Sequence, residues 1–98
     1  MKSKISEIAQ KIKPLLIEYR VEKAALFGSF ARGEGTNQSD IDILVKTPRS
    51  LGLFGFIKLN QQLAKKLGKS VDLVEYSTIK NSIKESILAQ QIILYEKQ

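Results

Sequence analysis

Two short apolar segments on either side of a polar loop constrain the fold of this chain most strongly. Residues 21–27 form an apolar run that stops at Gly28, and residues 40–45 begin with alternating polar and apolar side chains and then become wholly apolar. Runs of this length are typical of buried strands, and the glycine marks a tight turn. We therefore predict two strands, over 21–27 and 40–45, joined by a loop that contains residues 34–38.

Segments with helical periodicity lie before and after these two predicted strands in the sequence. Residues 3–19 carry apolar side chains at helical spacing, but Pro14 predicts either a kink or two shorter helical pieces. A second helix is predicted to start with Ser50 as its N-terminal cap and to stop at Gly68. The apolar face expected on this helix consists of Leu53, Phe56, Ile57, Leu63, Ala64 and Leu67.

In the last third of the chain, the sequence pattern predicts one more helix between two strands. Residues 71–76 alternate as a strand would, with Asp72 and Val74 on the same face. Ser82 followed by Glu85 is a capping-box pattern at the start of a helix, and residues 92–95 form a short final strand. A chain of 98 residues with no internal repeat or linker is expected to form one domain, residues 1–98, of α/β or α+β class.

Composition narrows the possible partners. The chain has no cysteine and no histidine, so any metal must be bound by oxygen atoms. It has no long apolar run and no leader pattern, so we expect a cytoplasmic protein without a membrane partner. The net charge of +6 favours nucleotides, RNA or an acidic protein surface, although lysines spread over helices are also typical of ordinary solvated faces.

An Asp-x-Asp pair opens the second predicted strand. Asp40 and Asp42 are two residues apart, so their carboxylates should project from the same face. Their mutual repulsion favours a divalent cation such as Mg²⁺, which binds a few carboxylate oxygens together with water and phosphates. Asp72, on the third strand, can supply another carboxylate, because burying it unpaired would be costly. Taken alone, such a pair is also typical of a solvated or capping position.

A glycine-serine turn precedes the carboxylate pair by one loop. Gly28 lets backbone N–H groups approach an anion closely, and the Ser29 hydroxyl can donate to a phosphate. Arg32 can reach a phosphate or hold the loop by charge-assisted hydrogen bonds. An ordinary turn is the other interpretation, but the turn and the carboxylates together favour a phosphate and metal site. The residues expected only to build the loop are Gly33, Gly35 and Ser39.

The segment Gly28-Ser29-Phe30-Ala31-Arg32-Gly33, five loop residues and Ser39-Asp40-Ile41-Asp42 together resemble the signature of the polymerase-β-like nucleotidyltransferase superfamily. In length the chain is similar to the minimal nucleotidyltransferases of bacteria and archaea, which are commonly encoded beside a HEPN-domain partner. The resemblance extends over essentially the whole chain, including Asp72 and residues 92–96. It implies a polymerase-β-like nucleotidyltransferase core, in which helices pack against a small mixed β-sheet.

The resemblance also implies an activity. Two Mg²⁺ ions would be held by Asp40, Asp42 and Asp72, with Gly28 and Ser29 on the triphosphate of ATP. Asp72 would also help to activate the acceptor hydroxyl. Members with a HEPN partner act as antitoxins that transfer AMP from ATP to a tyrosine of the toxin, and the same activity is expected here.

Two other functions stay open. The chain can be a non-catalytic binding module that neutralises a HEPN ribonuclease by steric masking, or it can transfer nucleotides to RNA, as its positive charge would allow. Larger relatives carry an additional helical domain that shapes the acceptor pocket, so a partner chain or a homo-oligomer is expected to complete this function. Apolar residues within 51–56 exceed what one helix face needs, and some are candidates for such a contact.

Overall fold

The computed structural model describes residues 4–33 and 40–97, with only the backbone described at Ser29 and Phe30. Along the described chain the elements are α1 (Lys4–Glu18), β1 (Lys23–Phe27), α2 (Gly28–Ala31), β2 (Ile41–Lys46), α3 (Gly52–Leu67), β3 (Val71–Glu75), α4 (Asn81–Gln90) and β4 (Ile92–Glu96). Short 3-10 turns occupy Arg49–Leu51 and Tyr76–Thr78. No helix in these ranges is long and apolar enough to cross a membrane.

The four strands form one mixed sheet in the order β3-β2-β1-β4. β1 pairs antiparallel with both β2 and β4, whereas β2 and β3 run parallel. The parallel pair needs a long crossover connection, which α3 supplies, because parallel strands cannot be joined by a tight hairpin. The expected α/β class with a mixed sheet is therefore confirmed.

One face of the sheet carries the main core. Helices α1 and α3 pack against each other and, together with alternate side chains of the strands, form this core. Ile12 and Leu16 of α1 and Leu59 and Leu63 of α3 are fully buried. Each such side chain contributes roughly 1.5–3 kcal/mol of burial free energy, so these two helices fix the sheet on this side.

The opposite face of the sheet is partly apolar and carries the carboxylates. Successive strand side chains alternate between faces, so Ala25 and Leu44 point away from the α1–α3 layer. These two residues are cross-strand partners and are fully buried, outside the main core cluster. Asp42 shares this face with Leu44, since the two are separated by one residue on β2.

The first helix is continuous, so the prediction of two helical pieces is wrong. Helix α1 contains Pro14 within its bounds. Proline removes one backbone N–H and crowds the preceding turn, which costs free energy in a helix interior. Pro14 is exposed, whereas Ile12 and Leu16 on either side of it are fully buried. Burial of the apolar face therefore holds the helix together through the proline.

Both predicted serine caps are wrong. Ser50 lies within the 3-10 turn before α3, and α3 has Leu51 as its N-terminal cap, with no side-chain hydrogen bond. Ser82 lies one residue inside α4, because the N–H groups of Ile83 and Lys84 already bond to the Lys80 carbonyl. Helix α3 therefore starts one residue later than the side-chain pattern predicts, after the 3-10 turn, and α4 starts two residues earlier. The predicted stop at Gly68 is confirmed by its left-handed conformation, φ 68°.

The predicted apolar face of α3 is only partly correct. Leu63 is buried and Phe56, Ala64 and Leu67 are half-buried. Leu53 and Ile57 are exposed, however, and the unpredicted Leu59 is buried in their place. The core-facing stripe is therefore narrower than the periodicity indicated, and it leaves apolar side chains on the N-terminal half of the helix in contact with solvent.

Candidate active site

Two carboxylates stand side by side where β2 and β3 begin. Asp42 pairs with Asp72 in the parallel register of these strands and with Phe27 in the antiparallel register of β1 and β2. Residues in register on neighbouring strands project from the same face about 5 Å apart. The sheet therefore lines up Phe27, Asp42 and Asp72 in one row, which brings together two residues that lie far apart in the sequence.

The electrostatic state of Asp42 reflects this crowding. Partial burial raises the pKa of Asp42 above its usual value, and the negative charges of Asp72 and Asp40 raise it further. A side-chain hydrogen bond with Asp72 acts in the same direction, since two carboxyl groups can share a hydrogen bond only when one holds a proton. Arg32 lowers the pKa of Asp42, although it is the last of these influences. Among the influences on Asp42, burial and the neighbouring carboxylates therefore outweigh Arg32.

Gly28 has to be glycine because its backbone touches Asp42. Gly28 directly follows β1 and has a φ of 72°, a backbone conformation that residues other than glycine rarely adopt. A Cβ atom added here would overlap Oδ2 of Asp42 and would lie 3.1 Å from its Cγ. The turn and the carboxylate are therefore packed against each other, as the prediction of one combined site requires.

Arg32 lies near the same group. Its backbone N–H donates to the Gly28 carbonyl at 3.2 Å, which closes the short helix α2, and its guanidinium is near enough to influence the pKa of Asp42. Gly33 ends this turn with a φ of 75°, in agreement with its predicted loop role. The predicted hydroxyl contact of Ser29 involves an undescribed side chain, and Gly35 and Ser39 lie outside the described residues.

The described side chains were tested for their fit to a divalent cation. No group of three or more acidic, histidine or cysteine side chains in the described ranges is already arranged to hold a metal ion. Asp42 and Asp72 are adjacent, however, and Asp40 is exposed one residue before β2 and acts on Asp42 electrostatically. An open pair of adjacent carboxylates with a third carboxylate nearby fits Mg²⁺, which keeps several waters and substrate phosphates as ligands.

One contact that positions the site was not predicted from the sequence. At the other end of the β2–β3 pair, the backbone N–H and the hydroxyl of Thr47 donate to Oε2 of Glu75, at 3.0 and 2.5 Å. These bonds fasten the two strands in the register that aligns Asp42 with Asp72. No local signal could have found this pair, because the two residues are 28 positions apart and form no motif.

Known proteins share this fold and sequence pattern. A family model described as polymerase beta, nucleotidyltransferase matches residues 10–98. A proposed protein adenylyltransferase of Methanocaldococcus jannaschii is 40% identical over 88 residues, which cover 90% of this chain and 95% of that protein. Both similarities extend well beyond the site itself.

Two solved structures contain chains of similar fold. A toxin–antitoxin crystal structure with AMP-PNP has a TM-score of 0.77 at 30% identity and covers 92% of this chain and 74% of that chain. A structure of tri-AMPylated Shewanella oneidensis HEPN toxin in complex with MNT antitoxin has a TM-score of 0.72 at 27% identity, with coverages of 96% and 74%. The mixed sheet, the aligned carboxylates and these similarities define a nucleotidyltransferase. The chain belongs to the polymerase-β nucleotidyltransferase family.

Proposed function

We propose that this chain transfers AMP from ATP to a tyrosine hydroxyl of a HEPN-domain partner and thereby acts as an antitoxin. The observation that carries the proposal is the alignment of Asp42 with Asp72, with Asp40 in electrostatic contact. The adenylyltransferase name of the Methanocaldococcus relative and the AMPylated toxin in the Shewanella complex support AMP as the transferred group and a HEPN protein as the acceptor.

The residues of the site divide the work in this proposal. Asp40, Asp42 and Asp72 would hold two Mg²⁺ ions, which when bound would neutralise the charge that develops on the phosphates. Backbone N–H groups at Gly28 and Ser29, together with the Ser29 hydroxyl, would donate to the triphosphate. Arg32 would add a charge-assisted hydrogen bond to the same phosphates.

The proposed reaction is an in-line displacement at the α-phosphorus of ATP. The tyrosine oxygen forms a bond to this phosphorus while the bond to the α,β-bridging oxygen breaks, and pyrophosphate leaves with the electron pair. The hydroxyl proton passes to the carboxylate of Asp72. Asp72 is exposed at the start of β3, so an acceptor can approach it from solvent.

The direct test is to incubate the chain with ATP, Mg²⁺ and a HEPN-domain protein from the same organism and to measure the intact mass of that protein. We expect an increase by one or more AMP groups on tyrosine, none in the presence of EDTA and almost none with Asp40→Asn. Undiminished transfer by Asp40→Asn would refute the proposed site.

The same variants separate catalysis from steric masking. If the chain neutralises a HEPN ribonuclease only by covering it, Asp42→Ala should still protect cells that express the toxin. We expect this variant to lose protection, because a domain that merely binds gains nothing from placing Asp42 where Asp72 and Asp40 repel its charge. Transfer to RNA is checked with a labelled oligonucleotide as the acceptor, and here we expect no label to be incorporated.

A further inference from the structure

The N-terminal half of α3 exposes large apolar side chains. Leu53 is 71% exposed, Phe54 88% and Ile57 45%. Ile57 follows Leu53 by four residues and Phe54 by three, so all three lie together on one side of the helix. We call these three residues the α3 patch. Contiguous exposed apolar groups of this size are typical of a contact with another molecule.

A groove lies directly beside the α3 patch. Its volume is about 820 Å³, and it runs between the start of α3 and the ends of β2 and β3. The apolar residues that line it are Pro48, Leu53, Phe56, Leu73 and Val74. Leu53 therefore belongs to both features, and the surface combines projecting apolar side chains with an adjoining hollow.

The segment that contains this surface carries the excess positive charge of the chain. Of the 16 basic and 10 acidic residues of the chain, six basic and no acidic ones lie within residues 43–71, which leaves ten of each elsewhere. Three of the six, Lys46, Arg49 and Lys58, are exposed near the patch, whereas Lys65, Lys66 and Lys69 lie at or beyond the other end of α3. The groove itself is lined by Lys46 and Arg49 and by two acidic residues, Glu22 and Glu75, of which Glu75 accepts hydrogen bonds from Thr47.

We propose that the α3 patch and its groove dock an amphipathic helix of a protein partner, with apolar side chains toward the patch and acidic side chains toward Lys46, Arg49 and Lys58. A helix laid into an apolar groove is a common mode of recognition, and the basic rim selects for acidic flanks. In naming the HEPN protein as the partner that carries this helix, the inference rests on the proposed function.

Other occupants fit the surface less well. A second copy of this chain would bring the same excess of positive charge to the interface, and like charges in contact are costly. A membrane surface is too flat to fill a groove beside the patch. RNA would satisfy the basic residues and could stack a base on Phe54, but it would leave the aliphatic side chains of Leu53 and Ile57 without apolar contacts.

Docking here would bring a partner close to the carboxylates. Along β2, Asp42 lies four residues before Lys46, where the groove begins, which is roughly 13 Å at about 3.3 Å per residue. Along β3 the groove is nearer, because it includes Leu73 and Val74, which directly follow Asp72. A partner docked in the groove can therefore present a hydroxyl to the neighbouring site.

The test is the affinity of the purified chain for a HEPN-domain protein from the same organism, measured by titration calorimetry. We expect the double variant Leu53→Ser, Phe54→Ser to raise Kd about 10- to 100-fold, as loss of a central apolar anchor does. Arg49→Glu with Lys58→Glu should weaken binding about 10-fold and reduce its salt dependence. Ile83→Ser, which removes a 49% exposed side chain from α4, is the matched control and should leave Kd unchanged.

Each result separates docking from catalysis or from folding. The variants should melt within about 3 °C of the unaltered chain, because they replace exposed groups. Asp42→Asn should bind the partner with unchanged Kd, so a chain that binds through α3 but transfers no AMP would refute the proposed function and leave the docking surface standing. Unchanged Kd for the Leu53→Ser, Phe54→Ser variant would overturn the inference.

Three further outcomes would overturn it in favour of another occupant. The first is that the unaltered chain sediments as a dimer and the Leu53→Ser, Phe54→Ser variant as a monomer. The second and third are that the unaltered chain binds phosphatidylserine vesicles or RNA, and that the double variant loses this binding but keeps its affinity for the partner.

Discussion

The two ends of the parallel β2–β3 strand pair differ in charge, in packing and in the ligand that each suits. The starting end lies at Asp42 and Asp72, and the finishing end at Thr47 and Glu75. The starting end gathers Asp40, Asp42 and Asp72, and here partial burial, together with the charges of the neighbouring carboxylates, raises the pKa of Asp42. The finishing end is surrounded by the basic α3 segment with its exposed apolar patch. The first end is suited to a cation with phosphates, and the second to an acidic protein surface.

The difference teaches that chemistry and recognition can be separated within 98 residues. The carboxylates repel one another, and a bound cation would reduce this repulsion. Functional sites often keep such locally unfavourable interactions. The finishing end instead holds the Thr47–Glu75 hydrogen bonds, which stabilise the strand pair without any ligand. Substitutions at the first end should therefore change activity most, and substitutions of the finishing end should change stability or binding.

The largest effect is expected for Asp42→Asn. Loss of this carboxylate removes several kcal/mol of charge stabilisation from the transition state, so AMP transfer should fall by at least about 100-fold. Transfer is followed by the intact mass of the partner over time. Glu85→Gln, which removes an exposed carboxylate from α4, is the control and should transfer normally. An Asp42→Asn chain that retains activity would place the chemistry elsewhere.

Gly28→Ala should have the next largest effect. The added methyl group overlaps the Asp42 carboxylate, and a displacement of about 1 Å at a reacting centre can cost up to roughly 100-fold in rate. Positive φ adds a strain of about 1 kcal/mol, measured as a lower free energy of unfolding.

Gly33→Ala is the matched control for this variant. Gly33 has nearly the same φ, but a Cβ placed there meets no described atom within 4 Å. It should lose about the same stability and keep most of its activity. Equal activities of the two variants would show that contact between the turn and the carboxylate is unimportant.

The sequence predicted the carboxylate end better than the finishing end, for a physical reason. Asp40, Asp42 and Gly28 lie in short local patterns whose geometry follows from strand alternation and glycine conformation. Asp72 was proposed as a further carboxylate because burying it unpaired would be costly, and the family resemblance supported this; the parallel register shows that it is adjacent to Asp42. The serine caps failed because competing backbone hydrogen bonds decided where α3 and α4 begin.

At the finishing end, burial depends on which helix packs where. The periodicity of α3 identified an apolar face. It could not show which of these side chains pack against α1 and which are exposed to solvent. Leu59 rather than Leu53 therefore entered the core. The Thr47–Glu75 contact joins the residue that follows β2 to the last residue of β3 and depends on tertiary structure alone.

Thr47→Val tests the stabilising role of the finishing end. The variant keeps the backbone hydrogen bond to Glu75 but removes the hydroxyl donor, which should lower the free energy of unfolding by about 1 kcal/mol in a denaturant titration. Thr78→Val, which removes an exposed hydroxyl bond to the Glu75 carbonyl, should cost less. If Thr47→Val lowered AMP transfer as strongly as Gly28→Ala, the two ends would be coupled and the separation argued above would be wrong.

The smallest expected effect concerns pH and the metal-free carboxylate end. Because the folded-state pKa of Asp42 is raised above 3.8, its contribution to stability is present below that pH and is lost as pH rises through the folded-state value. Without Mg²⁺, Asp42→Asn should therefore become more stable than the unaltered chain as pH increases from about 4 to about 7, by several tenths of a kcal/mol. Thermal melts in EDTA at several pH values measure this difference.

Mg²⁺ should reduce the difference in stability between the two chains, because a cation stabilises only the chain that keeps the carboxylate. Equal stabilities at every pH would mean that the carboxylates do not repel one another, and the contrast between the two ends would then rest on the α3 segment alone.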